Sequence, residues 1–192
     1  MKKLLITGFD PFGGESINPS WEAVKLLPDH IGEYELCKLQ IPTVFSLASS
    51  TVLARAGELN ADVILCVGQA GGRSAVTPER VGINLRDARI PDNQGCVPRD
   101  EPIVPHGPAA YFSSLPIRAM TENIEKSGLP AAISNTAGTF VCNDVLYSIL
   151  HHYAGTSVRC GFIHVPWLPA QGSPSLPLED TARALTAAIE AL

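Results

Sequence analysis

The most informative stretch of the chain for its architecture is Asp62-Val-Ile-Leu-Cys-Val-Gly68. Its apolar run is nearly continuous, which is typical of a central parallel strand that is covered on both faces. A glycine-rich loop, Gln69-Ala-Gly-Gly-Arg73, follows directly. We therefore predict a buried strand over 62–68 with a functional loop at its carboxyl end.

Strands and amphipathic helices alternate on both sides of this stretch. Leu4–Ile6, Leu36–Ile41 and Val158–Val165 are predicted strands, and Val81–Leu85 is strand-like. Apolar residues at helical spacing predict four helices, whose inner faces carry Trp21, Val24 and Leu27, then Phe45, Ala48, Val52, Ala56 and Leu59, then Ile117, Met120 and Ile124, and finally Leu178, Ala182, Leu185, Ile189 and Leu192. The pattern predicts an α/β fold with a largely parallel sheet and helices on both faces.

Length and composition favour one globular domain over residues 1–192. The chain is 45% hydrophobic and 17% charged, which is typical of a protein that buries a core. Its net charge of −5 and pI near 5.5 offer no general attraction to nucleic acid or to anionic membranes. Neither is expected as a partner.

The cysteines indicate a reducing compartment. All five are widely spaced, and no C-x-x-C pair occurs, so neither a disulfide framework nor a structural zinc site is predicted. The apolar run after Lys2 and Lys3 is too short for a signal peptide. We therefore expect a cytoplasmic protein.

The stretch Ala131–Asp144, AAISNTAGTFVCND, contains the strongest candidate for a nucleophile. Residues 131–134 suit a short buried strand, and Thr139 is the expected N-cap of a following helix. Cys142 would lie in the first turn, where the helix terminus favours a thiolate and free backbone N–H groups can bind an oxyanion. The alternative is that Cys142 is a small buried hydrophobic residue. The inner face of the helix is expected to carry Val141, Val145, Leu146, Ile149 and Leu150.

Two further residues complement the thiol chemically. A cysteine nucleophile needs a base, and the base needs an acceptor that fixes its tautomer, roles that His164 and Glu79 can fill. The loops at the carboxyl ends of parallel strands share one edge of the sheet, so these residues are expected to converge there. The alternatives are that His164 is a hydrogen-bonded core histidine and that Glu79 is an ordinary surface partner of Arg80.

Other kinds of site find little support in the sequence. No H-E-x-x-H, G-x-S-x-G, Walker or dinucleotide motif occurs, and the histidines and cysteines lack metal-ligand spacing. We predict no metal and no cofactor. Residues 86–114 are rich in proline and glycine, and an irregular segment of that length usually covers a site or an interface.

Eight segments together resemble pyroglutamyl peptidase type I, also called pyrrolidone-carboxylate peptidase, a family of cysteine peptidases. The matching segments extend in order over nearly the whole chain. They are GFDPFGG (8–14), NPSWEA (18–23), CVGQAGGR (66–73), TPERVGINL (77–85), DARIPDN (87–93), GPAAYF (107–112), SNTAGTFVCN (134–143) and GFIHVP (161–166).

The resemblance implies a function and a set of roles. It implies a single α/β/α sandwich, often assembled as a homotetramer, that removes N-terminal pyroglutamate from peptides. Cys142 matches the nucleophile of the family, His164 its general base and Glu79 its acidic third member.

The resemblance also implies a pocket for the pyroglutamyl ring. Phe12 and Phe140 match the residues that hold the lactam, and Arg89 lies near the expected oxyanion site. The remaining matches, which line the ring or bond to it, are Asn18, Gln69, Ile90 and the backbone of Val141.

Two other interpretations stay open at the level of sequence. Fold analogy alone admits a nucleoside phosphorylase or nucleosidase, because a similar sandwich with glycine loops serves those enzymes. A protein that keeps the pocket without the activity, or a thiol sensor built on Cys142, is the alternative that is not an enzyme.

Overall fold

The computed structural model describes all residues, Met1–Leu192. The sequence forms eight strands and five helices. In chain order these are β1 (Lys2–Phe9), α1 (Pro19–Leu26), β2 (His30–Ile31), β3 (Tyr34–Ile41), α2 (Leu47–Leu59), β4 (Val63–Gln69), β5 (Thr77–Pro78), β6 (Val81–Ile83), β7 (Ala110–Phe112), α3 (Ile117–Lys126), α4 (Val141–His152), β8 (Arg159–Val165) and α5 (Leu178–Glu190).

One six-stranded sheet organises the fold, in the order β2-β3-β1-β4-β8-β5. The central strands β3, β1, β4 and β8 are parallel, and only the two-residue edge strands β2 and β5 are antiparallel. The predicted strand over 62–68 is β4, and its first six residues are buried, as a strand covered on both faces requires. The largely parallel sheet is confirmed.

Helices cover both faces of the sheet. A cluster of 25 buried residues joins α1, α3 and α5 to one face, and a cluster of 19 joins α2 and α4 to the other. Burying a Val, Leu or Ile side chain fully contributes about 1.5–3 kcal/mol, so these two clusters dominate the stability of the sandwich. The predicted α/β/α architecture is confirmed. None of the helices has the length and apolar character needed to cross a membrane.

The first helix shows how local sequence orients a site loop. Asn18 caps α1, because its Oδ1 accepts a hydrogen bond from Ser20 N (3.1 Å) while Pro19 occupies the first turn. The Asn18 Nδ2 group donates to Asp10 O (3.0 Å). The cap therefore holds the Asp10–Gly14 loop against the start of the helix.

The prediction of a buried strand over 131–134 is wrong. This segment makes only isolated bridges, from Val76 to Ala131 and from Glu79 to Ser134. It runs beside the short edge strand β5, where Pro78 has no N–H to donate, so a regular ladder cannot extend. Ala132 is exposed, which also removes the apolar cover that a buried strand needs.

Two smaller expectations are corrected as well. Thr139 does not cap α4: the cap position is Phe140, and Thr139 Oγ1 instead donates to Asp87 O (2.7 Å). The strand-like stretch 81–85 forms β6, which pairs with β7 outside the main sheet. The rest of 86–114 is irregular, as expected, and Asn93 Nδ2 connects it to Pro11 O (2.9 Å).

Candidate active site

The sulfur of Cys142 lies at the carboxyl edge of the sheet, over Gly68. Gly68 on β4 pairs in register with His164 on β8. A Cβ atom added at Gly68 would lie 2.9 Å from Cys142 Sγ and 2.7 Å from Phe162 Cζ. The rings of Phe162 and His164 have centroids 4.8 Å apart, on the same face of β8. Cys142, Phe162 and His164 therefore gather around one glycine.

This close approach makes Gly68→Ala a test of the packing at the sulfur. Both contacts are under 3.0 Å, so the methyl group must displace Cys142 or Phe162. We expect a loss of about 1–3 kcal/mol in the free energy of unfolding, measured by urea denaturation. The matched control is Gly57→Ala in α2, where no atom lies within 4 Å and alanine should stabilise the helix by about 0.5–1 kcal/mol. Equal effects of the two substitutions would contradict the packing.

His164 and Glu79 form a buried hydrogen-bonded pair. His164 Nδ1 lies 2.7 Å from Glu79 Oε1, and the two residues are 4% and 0% exposed. A carboxylate can only accept, so Nδ1 carries the proton and Nε2 is left as the acceptor. The alternative in which Glu79 is a surface partner of Arg80 is wrong, because Arg80 Nε donates to Asn135 Oδ1 (2.8 Å) instead.

A residue that sequence reasoning missed, Arg73, completes this network. Its Nη1 donates to Glu79 Oε1 (2.7 Å) and to Thr77 Oγ1 (2.6 Å), and its Nη2 donates to Thr136 O (3.0 Å). The available signal was its position at the end of the predicted glycine loop. That position does not reveal which way the side chain turns.

Burial sets the protonation of the three groups. Burial raises the pKa of Glu79, but the hydrogen bond and charge of His164, with hydrogen bonds from Ser134 and Arg73, bring it below its ordinary value. Burial lowers the pKa of His164 against the opposing effect of Glu79. Burial, with the nearby Glu79 charge, raises the pKa of Cys142 to about 12. Glu79 is therefore ionised at neutral pH, the imidazole neutral and the thiol protonated.

The expectation that the helix terminus would favour a Cys142 thiolate is therefore wrong. Desolvation of the sulfur is the main cause of the raised pKa, and the nearby Glu79 charge adds to it. The backbone N–H groups of the first turn, at Val141, Cys142 and Asn143, nevertheless have no intrahelical partner. They remain available to an oxyanion at this position.

Aromatic rings pack together at the start of α4. The half-buried Phe12 and Phe140 rings have centroids 6.0 Å apart. Phe45, which the sequence pattern placed on a helix face, precedes α2 and meets Phe140 edge-on at 5.2 Å. Val141, the first residue of α4, is fully buried behind them. The two predicted pocket residues Phe12 and Phe140 therefore do meet, with Phe45 as an additional wall.

Gln69 has its amide oriented by a second residue that sequence reasoning missed, Gln171. Gln171 Oε1 accepts from Leu168 N (3.0 Å), and its Nε2 donates to Gln69 Oε1 (3.1 Å). The backbone N–H of Leu168 can only donate, so the atom of Gln171 that faces it is the amide oxygen. The amide nitrogen of Gln171 then faces Gln69, whose oxygen must accept from it. Gln69 Nε2 is left as the free donor.

Three predicted pocket residues are placed differently. Asn18 is buried, and its side-chain hydrogen bonds go to Asp10 and Ser20, so it supports the Phe12 loop. Arg89 and Ile90 are exposed, and Arg89 takes no part in the network of Glu79 and His164. Their segment is nevertheless attached to the loop before Cys142, because Asp87 N donates to Thr139 O (3.0 Å).

No group of three or more His, Cys, Asp and Glu side chains is arranged to hold a metal ion. The chemistry that the geometry offers is a thiol beside an imidazole and a carboxylate, with backbone donors at a helix start. These groups are suited to covalent acyl transfer.

Comparison with known proteins agrees with this chemistry. The family model described as pyroglutamyl peptidase matches residues 2–192. The pyrrolidone-carboxylate peptidase of Levilactobacillus brevis is 54% identical, over 99% of this chain and 97% of that protein. The one of Clostridium perfringens strain 13 is 51% identical, over 99% and 92%.

Solved structures show the same fold. The crystal structure of Bacillus amyloliquefaciens pyroglutamyl peptidase I has a TM-score of 0.96 at 48% identity, covering 99% of this chain and 96% of that one. The pyrrolidone carboxyl peptidase from Thermococcus litoralis has a TM-score of 0.95 at 37% identity, covering 100% and 93%. Sequence, fold and site chemistry thus agree that this chain belongs to the pyroglutamyl peptidase family of cysteine-type peptidases.

Proposed function

We propose that this protein hydrolyses the bond that follows an N-terminal pyroglutamyl residue, using Cys142 as nucleophile, His164 as general base and acid, and Glu79 as the residue that orients His164. The observation that carries the proposal is the gathering at Gly68. The Cys142 sulfur lies there beside the strand of His164, whose Nδ1 is bonded to the buried Glu79.

The reaction begins from a neutral thiol and a neutral imidazole. As the sulfur attacks the pyroglutamyl carbonyl carbon, His164 Nε2 takes the thiol proton. The carbonyl oxygen becomes an oxyanion, which the free N–H groups at the start of α4 stabilise. Glu79 accepts from Nδ1 throughout and stabilises the imidazolium that forms.

The second half of the reaction releases both products. The imidazolium gives its proton to the departing amine as the carbon–nitrogen bond breaks, which leaves a thioester on Cys142. Water then attacks this acyl-enzyme while His164 takes a proton from it, and collapse releases pyroglutamate and the thiol.

Selectivity follows from the uncharged lactam. The lactam ring packs against the aromatic side chains of Phe12 and Phe140, which Phe45 supports from the side, and Gln69 Nε2 donates to the lactam carbonyl. A free N-terminal glutamine brings an ammonium group into this apolar slot without a partner, which costs several kcal/mol by desolvation, about 2–7 kcal/mol even for a neutral polar group. Such a substrate is therefore rejected.

An assay with chromogenic amides tests this function. We expect release from the pyroglutamyl amide, with kcat/KM about 10³-fold or more above that for the glutaminyl and prolyl amides, because these carry a charged amine. Release should not depend on phosphate. The absence of release from the pyroglutamyl amide at any pH would contradict the proposal. Phosphate-dependent cleavage of nucleosides would instead favour a phosphorylase.

Compartment and assembly belong to the same proposal. The five cysteines are unpaired, which supports a reducing, cytoplasmic location. Assembly as a homotetramer is proposed from the family resemblance, and sedimentation velocity would measure it.

A further inference from the structure

We propose that Arg73 is a positioning residue of this reaction, whose guanidinium holds the Glu79 carboxylate in the charged and oriented form that His164 needs. The inference rests on the proposed function and extends it to a residue outside the three proposed catalytic groups.

The first support is that Arg73 and His164 share one oxygen of Glu79. Arg73 Nη1 and His164 Nδ1 each lie 2.7 Å from Oε1. The other oxygen, Oε2, is buried and has no hydrogen-bond partner. The hydrogen bonds that His164 and Arg73 make to this carboxylate therefore converge on a single atom, and Arg73 supplies the only permanent positive charge between them.

The second support is that the surroundings offer no replacement for this charge. The other groups that face the pair are the Thr77 hydroxyl from β5, the Ser134 hydroxyl from the neighbouring segment, the Cys142 thiol from α4 and the Phe162 ring from β8. All are uncharged at neutral pH. Arg80, the nearest arginine in sequence, is turned to Asn135. A buried carboxylate that loses its cation tends to take up a proton.

The third support is that Arg73 joins two site loops across Glu79. It belongs to the loop after β4, and its Nη2 donates to Thr136 O in the segment that leads to Cys142 (3.0 Å). The Arg73 side chain is 29% exposed, whereas that of Glu79 is fully buried. Arg73 thus closes the solvent side of the pair and acts on the reaction only through Glu79.

Removal of the Arg73 charge should change the pKa values of Glu79 and His164 in the same direction. In Arg73→Met, burial of Glu79 is opposed only by His164 and by the uncharged Ser134 hydroxyl, so the pKa of Glu79 rises. The pKa of His164 also rises, because the Arg73 charge lowers it in the native protein. Both changes shift the acid limb of the pH profile of kcat to higher pH. Activity should fail in mild acid and recover in base.

The experiment compares four proteins on the pyroglutamyl amide across pH: native, Arg73→Met, Arg73→Lys and the matched control Arg80→Met. For Arg73→Met we expect kcat about 10–100-fold below native near pH 6 and within about fivefold near pH 9, with KM changed less than about twofold. Arg73→Lys keeps the positive charge but loses the paired N–H donors of the guanidinium. Its acid limb should therefore lie between those of the native protein and Arg73→Met. Arg80→Met should match the native profile.

Several results would overturn the inference. A loss in Arg73→Met that is equal at every pH, or that lies in KM, would indicate a merely structural or substrate-binding role. A profile for Arg80→Met shifted like that of Arg73→Met would assign the effect to loop anchoring. If Arg73→Met does not fold, an unshifted acid limb in Arg73→Lys, together with native kcat, counts against the inference. An active native enzyme with an unaltered Arg73→Met refutes the inference alone, whereas an inactive native enzyme refutes the proposed function.

Discussion

Cys142→Ala is expected to abolish release from the pyroglutamyl amide, with kcat about 10⁵-fold or more below native. Removing the nucleophile of a catalytic triad costs about 10⁶-fold in a serine protease, and hydrolysis by water alone does not replace the covalent step. The protein should still fold, because Cys142 is a half-buried residue packed against the edge of the core rather than a member of its centre. Initial rates and the urea midpoint measure the two properties separately.

The control is Cys96→Ser, which changes an exposed cysteine and should leave kcat and KM at native values. A rapid acid quench of the native enzyme with substrate should also trap one pyroglutamyl group on Cys142, detected by peptide mass spectrometry. Activity in Cys142→Ala within tenfold of native, or an acyl group on another residue, would refute the mechanism.

Glu79→Gln is expected to lower kcat about 10³- to 10⁴-fold while KM changes little. A glutamine can present its NH₂ to Nδ1, which favours the tautomer with the proton on Nε2 and so removes the acceptor for the thiol proton. It also cannot stabilise the imidazolium electrostatically. Since neither effect involves the lactam pocket, binding of the substrate should survive.

The pH dependence separates this variant from the arginine variant. Glutamine does not titrate, so the loss in Glu79→Gln should persist at every pH, while Arg73→Met recovers in base. Glu58→Gln, on a surface pair with Arg55, is the matched control and should behave as native. Unchanged turnover in Glu79→Gln would show that the carboxylate is structural.

Regular elements with strong periodicity could be predicted from the sequence. The apolar run of β4 and the helical spacing of α4 were recognisable because each element buries a face through its own residues. The 131–134 prediction failed because small apolar residues suit several environments. Only its neighbour, the two-residue strand β5, shows that the sheet ends there.

The candidate site was predictable in part. The rule that site loops follow the carboxyl ends of parallel strands, with the family resemblance, brought Cys142, His164 and Glu79 together. Arg73 and Gln171 were missed because each contacts a partner from another loop, Thr136 and Gln69. Asn18 was assigned to the ring, but its side-chain hydrogen bonds go to Ser20 in the helix cap and to Asp10 in the loop before it.

By itself the sequence determined the long strands and helices with strong periodicity, the faces that these elements bury and the residues with reactive chemistry. These properties follow from short-range periodicity and residue type. Only the tertiary structure decided the direction in which each pKa moves: burial raises the pKa of Cys142 and lowers that of His164, whereas His164, Ser134 and Arg73 hold the pKa of Glu79 down. Desolvation and charge pairing act through space, so they depend on how distant loops pack together, and no local pattern in the chain encodes them.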